Sequence, residues 1–244
     1  MRFTVLTLFP KQVQDILGHS IISRATARGL IEISSVDIRD FSTNKHRKVD
    51  DTLYGGGTGM LMQAQPVYDA WKSTVIDGKK PHTVYLSPQG KVFNQQKAIE
   101  LSKREHIVFL CGHYEGVDQR AIDLIVDEEI SIGDYVLTGG ELASCVIIDA
   151  IARLIPDVLP DSSAFENESH MNGLLEAPHY TKPEEFMGLG VPDVLREGHH
   201  LKIEQWRHGE ALLNTFKKRP DMLDVLSLTV DEWMLLIDRL DYQA

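Results

Sequence analysis

The stretch Ser131-Ile-Gly-Asp-Tyr-Val-Leu-Thr-Gly-Gly-Glu141 follows a strand-like apolar run and precedes an apolar helical one. Gly133, Gly139 and Gly140 punctuate it, and glycines at that spacing let a backbone turn tightly and approach a flat ligand. Two junctions of the same kind lie upstream, Tyr85-Leu-Ser-Pro-Gln-Gly90 and Cys111-Gly-His-Tyr-Glu-Gly116. One such junction alone reads as an ordinary turn. Three within about 55 residues, each just after a short buried strand, point to a ligand pocket at the carboxyl edge of an α/β sheet.

The pattern around these loops agrees. Phe3–Leu8 reads as a strand, and Pro10 opens a helix toward Gly18. A second helix runs from about Ser20 to Arg28 and stops at Gly29. Ile31–Ile38, Thr83–Leu86, Ile107–Leu110 and Glu129–Ile132 read as strands, with helices over Asn94–Arg104 and Val117–Val126. Strands separated by helices imply βαβ units and a mostly parallel sheet. Glu141–Ile155 is a further helix, ended by Pro156. Tyr54-Gly-Gly-Gly-Thr-Gly59 is a loop too glycine-rich for either element, and Met60 stands where GxGxxG would need its third glycine. No GxxxxGK[ST] occurs, which excludes a P-loop reading.

Residues 157–172 break the alternation with Pro160 just after Pro156, then serines and acids without periodicity. They read as an interdomain linker between an α/β domain over 1–156 and a smaller, mainly helical domain over 173–244. In the latter, Glu204–Arg219 is helical up to Pro220, and Thr229-Val-Asp-Glu232 is a capping box before an apolar run.

Hydrophobic content of 43% and charged content of 25% are those of a globular protein with a full core. No apolar run approaches the roughly 20 residues that span a bilayer, and the amino terminus resembles a first strand rather than a signal segment. Cys111 and Cys145 fit no metal spacing, so a reduced, cytoplasmic setting is expected. A net charge of −11 argues against a generic nucleic-acid coat but not against a local grip on one RNA. The run from Arg196 to Arg219 holds six Lys/Arg, three Glu and three His. Arg196, Lys202, Arg207, Lys217, Lys218 and Arg219 are candidate phosphate contacts there; solvated surface charge is the alternative.

Taken together, Tyr54-Gly-Gly-Gly-x-Gly-Met60, the three loops above and Gly173-Leu-Leu-Glu-Ala-Pro-His-Tyr-Thr-Lys-Pro183 resemble the bacterial tRNA (guanine-N1)-methyltransferases. The resemblance runs in order along essentially the whole chain. It implies an α/β fold of the SPOUT type with a mostly parallel sheet and a deep trefoil knot. It also implies an obligate homodimer with shared active sites, S-adenosylmethionine as methyl donor, a magnesium requirement, and tRNA as substrate. The methylated position would be N1 of the guanosine adjacent 3′ to the anticodon.

Carried over by residue, the resemblance places the methyl donor against Tyr85, Leu86, Ser87, Pro88, Gly112, Tyr114, Glu115, Ile132, Gly133, Asp134, Tyr135, Val136, Leu137, Gly139 and Gly140. The chemistry fits: adenine needs an apolar slot, and a carboxylate such as Glu115 favours a sulfonium or a metal. Guanine N1 carries a proton, so methylation needs a base and a partner for the charge reaching O6. Arg153 stands at the family's arginine; by itself, Asp149 and Arg153 read as an i,i+4 helix pair. The family's base is an aspartate five residues before the glycine of Gly-Leu-Leu, a place held here by Glu168. Asn172 stands where the family usually has a second aspartate. Glu166 and Asp161 are alternative carboxylates, and His179 lies in a family motif near the target base. The competing classes are a nicotinamide oxidoreductase, disfavoured without GxGxxG, and an RNA-binding protein that has lost its base.

Overall fold

The computed structural model describes residues 1–160, 165 and 168–242. The chain divides into two compact units, Met1–Asp161 and Ser162–Ala244.

The first unit opens with strand β1 (Arg2–Thr7), helices α1 (Pro10–Leu17) and α2 (Ser20–Ala27), and strand β2 (Glu32–Asp37). A small antiparallel pair follows, β3 (Asp50–Thr52) and β4 (Met60–Met62), and then α3 (Ala64–Lys72). After these come β5 (His82–Val92), α4 (Gln95–Leu101), β6 (His106–Cys111), α5 (Gln119–Ile125), β7 (Glu128–Ser131) and α6 (Glu141–Ala152). Five strands form one sheet in the order β2-β1-β6-β5-β7, with every pairing parallel.

The apolar strands are covered on both faces, as a parallel sheet requires. Phe3, Val5, Val84, Phe109 and Ile130 point to one side and pack with residues of α1, α2, α4 and α6. Leu6, Tyr85, Val108 and Leu110 point to the other and pack with α3 and α5. Successive residues thus face opposite ways, the two-residue period of a strand. Helix starts follow local chemistry. Asn94 accepts from Lys97 N at 2.9 Å before α4, and Asp118 accepts from Arg120 N at 3.0 Å before α5.

Several boundaries differ from the sequence reading. β5 does not end at Leu86 but runs to Val92, because Ile130 of β7 pairs with both Leu86 and Lys91 and the residues between bulge out. α6 stops at Ala152 with Arg153 as its C-cap, three residues short of Ile155. Val158, inside the segment read as linker, is buried in the first unit's core. The glycine-rich loop is the connection of the β3–β4 hairpin, which the sequence reading does not assign.

In the second unit, β8 (Glu185–Phe186) and β9 (Leu189–Gly190) form a two-stranded hairpin. Met187 and Gly188, both with positive φ, make its two-residue turn. Helices α7 (His200–Lys218), α8 (Pro220–Leu223) and α9 (Val230–Tyr242) enclose a small core of Leu174, Leu212, Leu213, Leu223 and Leu236. α9 starts on the expected capping box. Thr229 N donates to Glu232 Oε2 at 2.8 Å, and Glu232 N donates to Thr229 Oγ1 at 3.3 Å.

Candidate functional site: a cavity at the carboxyl ends of three strands

β5, β6 and β7 lie side by side and parallel, so their carboxyl ends share one edge. The loops that leave them enclose a cavity of about 280 Å³. That is near the lower end of the size range of small-molecule sites. Tyr85, Leu86, Ser87 and Pro88 line it from β5, and Gly112, Tyr114 and Glu115 from the loop after β6. Ile132, Gly133, Tyr135, Val136, Leu137, Gly139 and Gly140 line it from the loop after β7. Of the fifteen residues named from the sequence for this pocket, only Asp134 is absent from the lining; it is exposed. The sequence reading missed Gln89, His113, Gly116, Ile130, Ser131, Thr138 and Ala143. All seven sit within or beside the three loops, so widening each loop by a residue or two would have found most of them.

The lining is mixed. Leu86, Ile130 and Ala143 give it an apolar floor, whereas Tyr114, Tyr135 and Val136 are largely exposed at its mouth. Glu115 is the lining's one carboxylate, and the glycine-rich hairpin backs it. Glu115 N donates to Met60 O at 3.0 Å. A Cβ on Gly59 would fall 2.5 Å from Glu115 Oε1, and Gly59 has φ +130°, so only glycine fits there. The phenol of Tyr85, pressed under the cavity, is pushed above its usual pKa by burial and by the charge of Glu129.

A buried carboxylate stands just behind the lining. Glu141, the first residue of α6, is 2% exposed. His113 Nε2 lies 2.9 Å from its Oε1 and 2.8 Å from its Oε2, and Thr7 Oγ1 donates to Oε1. Burial raises the Glu141 pKa, but these hydrogen bonds outweigh it and hold the carboxyl below the usual glutamate value. Cys111 and Cys145 are buried nearby, and burial pushes both thiols up, Cys145 to about 11.

The remaining candidates are spread over both units. Arg153 caps α6 in the first unit and is half-buried. Glu168 is half-buried in a turn of the second, its N–H donating to Phe165 O at 3.2 Å. Asp161 and Glu166 lie outside the described residues. Asn172 Oδ1 accepts from Leu174 N at 3.1 Å, so it closes a local turn. His179 is exposed, with Nε2 at 3.3 Å from Glu176 Oε2. Among the basic candidates, Arg196 pairs with Glu184 and Asp193, Lys202 with Glu197, and Arg219 with Asp221. Arg207, Lys217 and Lys218 are exposed on α7. No group of three or more His, Cys, Asp or Glu among the described residues is placed to hold a metal ion. Among the described residues, no helix is long and apolar enough to cross a membrane.

Comparison with known proteins matches residues 1–225 to the family model described as tRNA (Guanine-1)-methyltransferase TrmD. A tRNA (guanine-N(1)-)-methyltransferase of Ruminiclostridium cellulolyticum is 55% identical over 228 residues, which is 93% of this chain and 97% of the relative. One of the same name from Carboxydothermus hydrogenoformans is 52% identical, over 97% of this chain and 92% of the relative. One from Shouchella clausii is 49% identical over 244 residues, the full length of both. With the family model spanning most of the chain and the identity near one half from end to end, the chain belongs to the tRNA (guanine-1)-methyltransferase family.

Proposed function

We propose that the chain transfers a methyl group from S-adenosylmethionine to N1 of the tRNA guanosine adjacent 3′ to the anticodon. The observation that carries this reading is the convergence of three parallel-strand loops on one cavity, in a chain of this family. The cavity suits the methyl donor: an apolar floor for adenine, tyrosines at the mouth, and Glu115 as the anionic group facing a sulfonium cation. When bound, the donor supplies an electrophilic methyl group.

The chain's own residues supply the rest. Guanine N1 is a poor nucleophile while protonated, so a base must take its proton as the new bond forms. Glu168 is that base, and Arg153 stabilises the charge that reaches O6. Basic side chains on and beside α7 position the RNA through its phosphates, with Arg196, Lys202 and Arg219 exchanging their present acidic partners for phosphate. A magnesium requirement rests on the family resemblance; the described side chains offer no three-ligand set, and no step here is routed through a metal.

Two further features belong to the same reading. The fold carries a deep trefoil knot, a reading that rests on the family resemblance alone. The protein is a cytoplasmic homodimer. α6 buries Cys145, Ile147, Ile148 and Ile151 in the core, yet it leaves Leu142 and Val146 exposed on its outer side. Apolar side chains left exposed on an otherwise buried helix call for cover, which a second copy would provide.

Single-turnover methyl transfer to a tRNA transcript tests the assignment. Glu168→Gln should lose about 10²–10⁴-fold in rate while binding cofactor and tRNA normally. Glu168→Asp, which restores the family residue, should be mild. Full activity in Glu168→Gln, or its loss in Glu166→Gln alone, would overturn the choice of base.

A further inference from the structure

Glu141 is the only Asp, Glu, Lys or Arg among the described residues that is buried, and the methyl-transfer reading gives it no task. It does not line the cavity. A carboxylate removed from water is costly unless its oxygens are fully hydrogen-bonded. Here they are, by groups from distant parts of the chain: Thr7 at the end of β1 and His113 after β6. An ionised carboxylate only accepts, so His113 carries a proton on Nε2 and donates it. Thr7 Oγ1 also accepts from Phe9 N at 2.8 Å, and the Phe9 ring lies 4.9 Å from the His113 ring. Even the loop above is shaped to this pair. A Cβ on Gly139 would stand 2.4 Å from His113 Nε2 and 2.6 Å from Glu141 Oε2.

His113 sits between Gly112 and Tyr114-Glu115, all of which line the cavity. Tyr114 has φ +60°, a left-handed conformation that a non-glycine residue keeps only where its surroundings hold it. Glu141, through His113, is the fixed point next to that residue. We infer that Glu141 is a positioning residue for the methyl donor: its bond to His113 ties the loop after β6 to the start of α6 and presets the wall formed by Tyr114 and Glu115. The inference rests on the proposal that this cavity takes S-adenosylmethionine. Glu141 touches no reacting atom, so it acts on cofactor affinity and not on the rate of transfer once cofactor is bound.

The test compares wild type with Glu141→Gln by calorimetry with S-adenosylmethionine and by steady-state methyl transfer. Glu141→Gln should raise Kd and KM for the cofactor about 10- to 100-fold, the scale of a charged hydrogen bond, and change kcat at saturating cofactor by less than about threefold. In a His113→Gln background, Glu141→Gln should add nothing further, because its effect runs through the imidazole. An unchanged Kd, a fall in kcat at constant KM, or additive effects would overturn the inference. Should Glu141→Gln fail to fold, Thr7→Val removes one donor from the same carboxylate without touching the cavity. It should raise Kd about three- to tenfold, and an unchanged Kd would be equally fatal. A wild type that binds no S-adenosylmethionine would defeat the proposed function itself, a distinguishable failure.

Discussion

Replacing Gly140 by alanine puts one methyl group where the cavity wall comes close to the backbone of β6. Gly140 has φ −84° and ψ −8°, ordinary helical backbone, so alanine meets no torsional penalty. Loss of glycine's freedom in the unfolded chain even favours the variant by about 0.4–1 kcal/mol. Against this, the new Cβ would fall 2.8 Å from Cys111 Cα and 3.1 Å from Cys111 Cβ. Cys111 closes β6, the middle strand of the sheet, and is fully buried, so its backbone has nowhere to retreat. Forcing one methylene into a filled core costs about 1–3 kcal/mol. The net loss is then at most about 2.6 kcal/mol, or a Tm lower by up to about 10 °C for a chain of this size. Cofactor affinity should fall too, because Gly140 lines the cavity. Scanning calorimetry and a binding isotherm read both effects. Gly190→Ala is the control: nothing lies within 4 Å of its new Cβ, and it should move Tm little. Wild-type Tm and cofactor Kd in Gly140→Ala would refute the claim that α6 needs this close approach to β6.

Further outcomes follow from the same geometry. Cys145, with its pKa pushed to about 11 by burial, is almost wholly protonated at about pH 8; it and Cys111 should resist a thiol reagent in the native protein and react once unfolded. Thr229→Ala removes the hydroxyl that accepts from Glu232 N and donates to Glu232 Oε2, leaving only the backbone arm of the capping box on α9, and should cost about 0.5–2 kcal/mol, measured by urea unfolding. Glu141 is held below its ordinary pKa, so the unfolded chain binds its proton first as pH falls. Its stabilisation is present above about pH 4.5 and lost as pH drops through the lower folded value. The acid limb of stability against pH should therefore be shallower in Glu141→Gln, and an unchanged limb would contradict the burial and pairing described.

What the sequence disclosed depended on how local each signal is. β1 and β6 are short, mostly apolar runs, legible without the structure. The capping box of α9 lies within four consecutive residues. β3, by contrast, is Asp-Asp-Thr, with no apolar run, and Met60-Leu-Met62 is too short to stand out beside five nearby glycine-loop residues. α3 carries Pro66 in its first turn, which helices tolerate but which reads as a break. Within the site, the glycines and tyrosines of the loops were legible because their spacing is local. The Glu141 pair was not: Thr7 and His113 are 134 and 28 residues away, and an acid at a helix start reads as surface charge favouring the dipole. The nearest clue is the Gly139-Gly140 pair before Glu141, which makes room for the imidazole.

The most direct measurement is methyl transfer from labelled S-adenosylmethionine to an unmodified tRNA transcript, followed by mass mapping of the labelled nucleotide. Label on N1 of the guanosine 3′ to the anticodon, and nowhere else, is the predicted result. A wild-type protein that binds cofactor and tRNA but transfers no methyl group, or that labels a different nucleotide, would contradict the account.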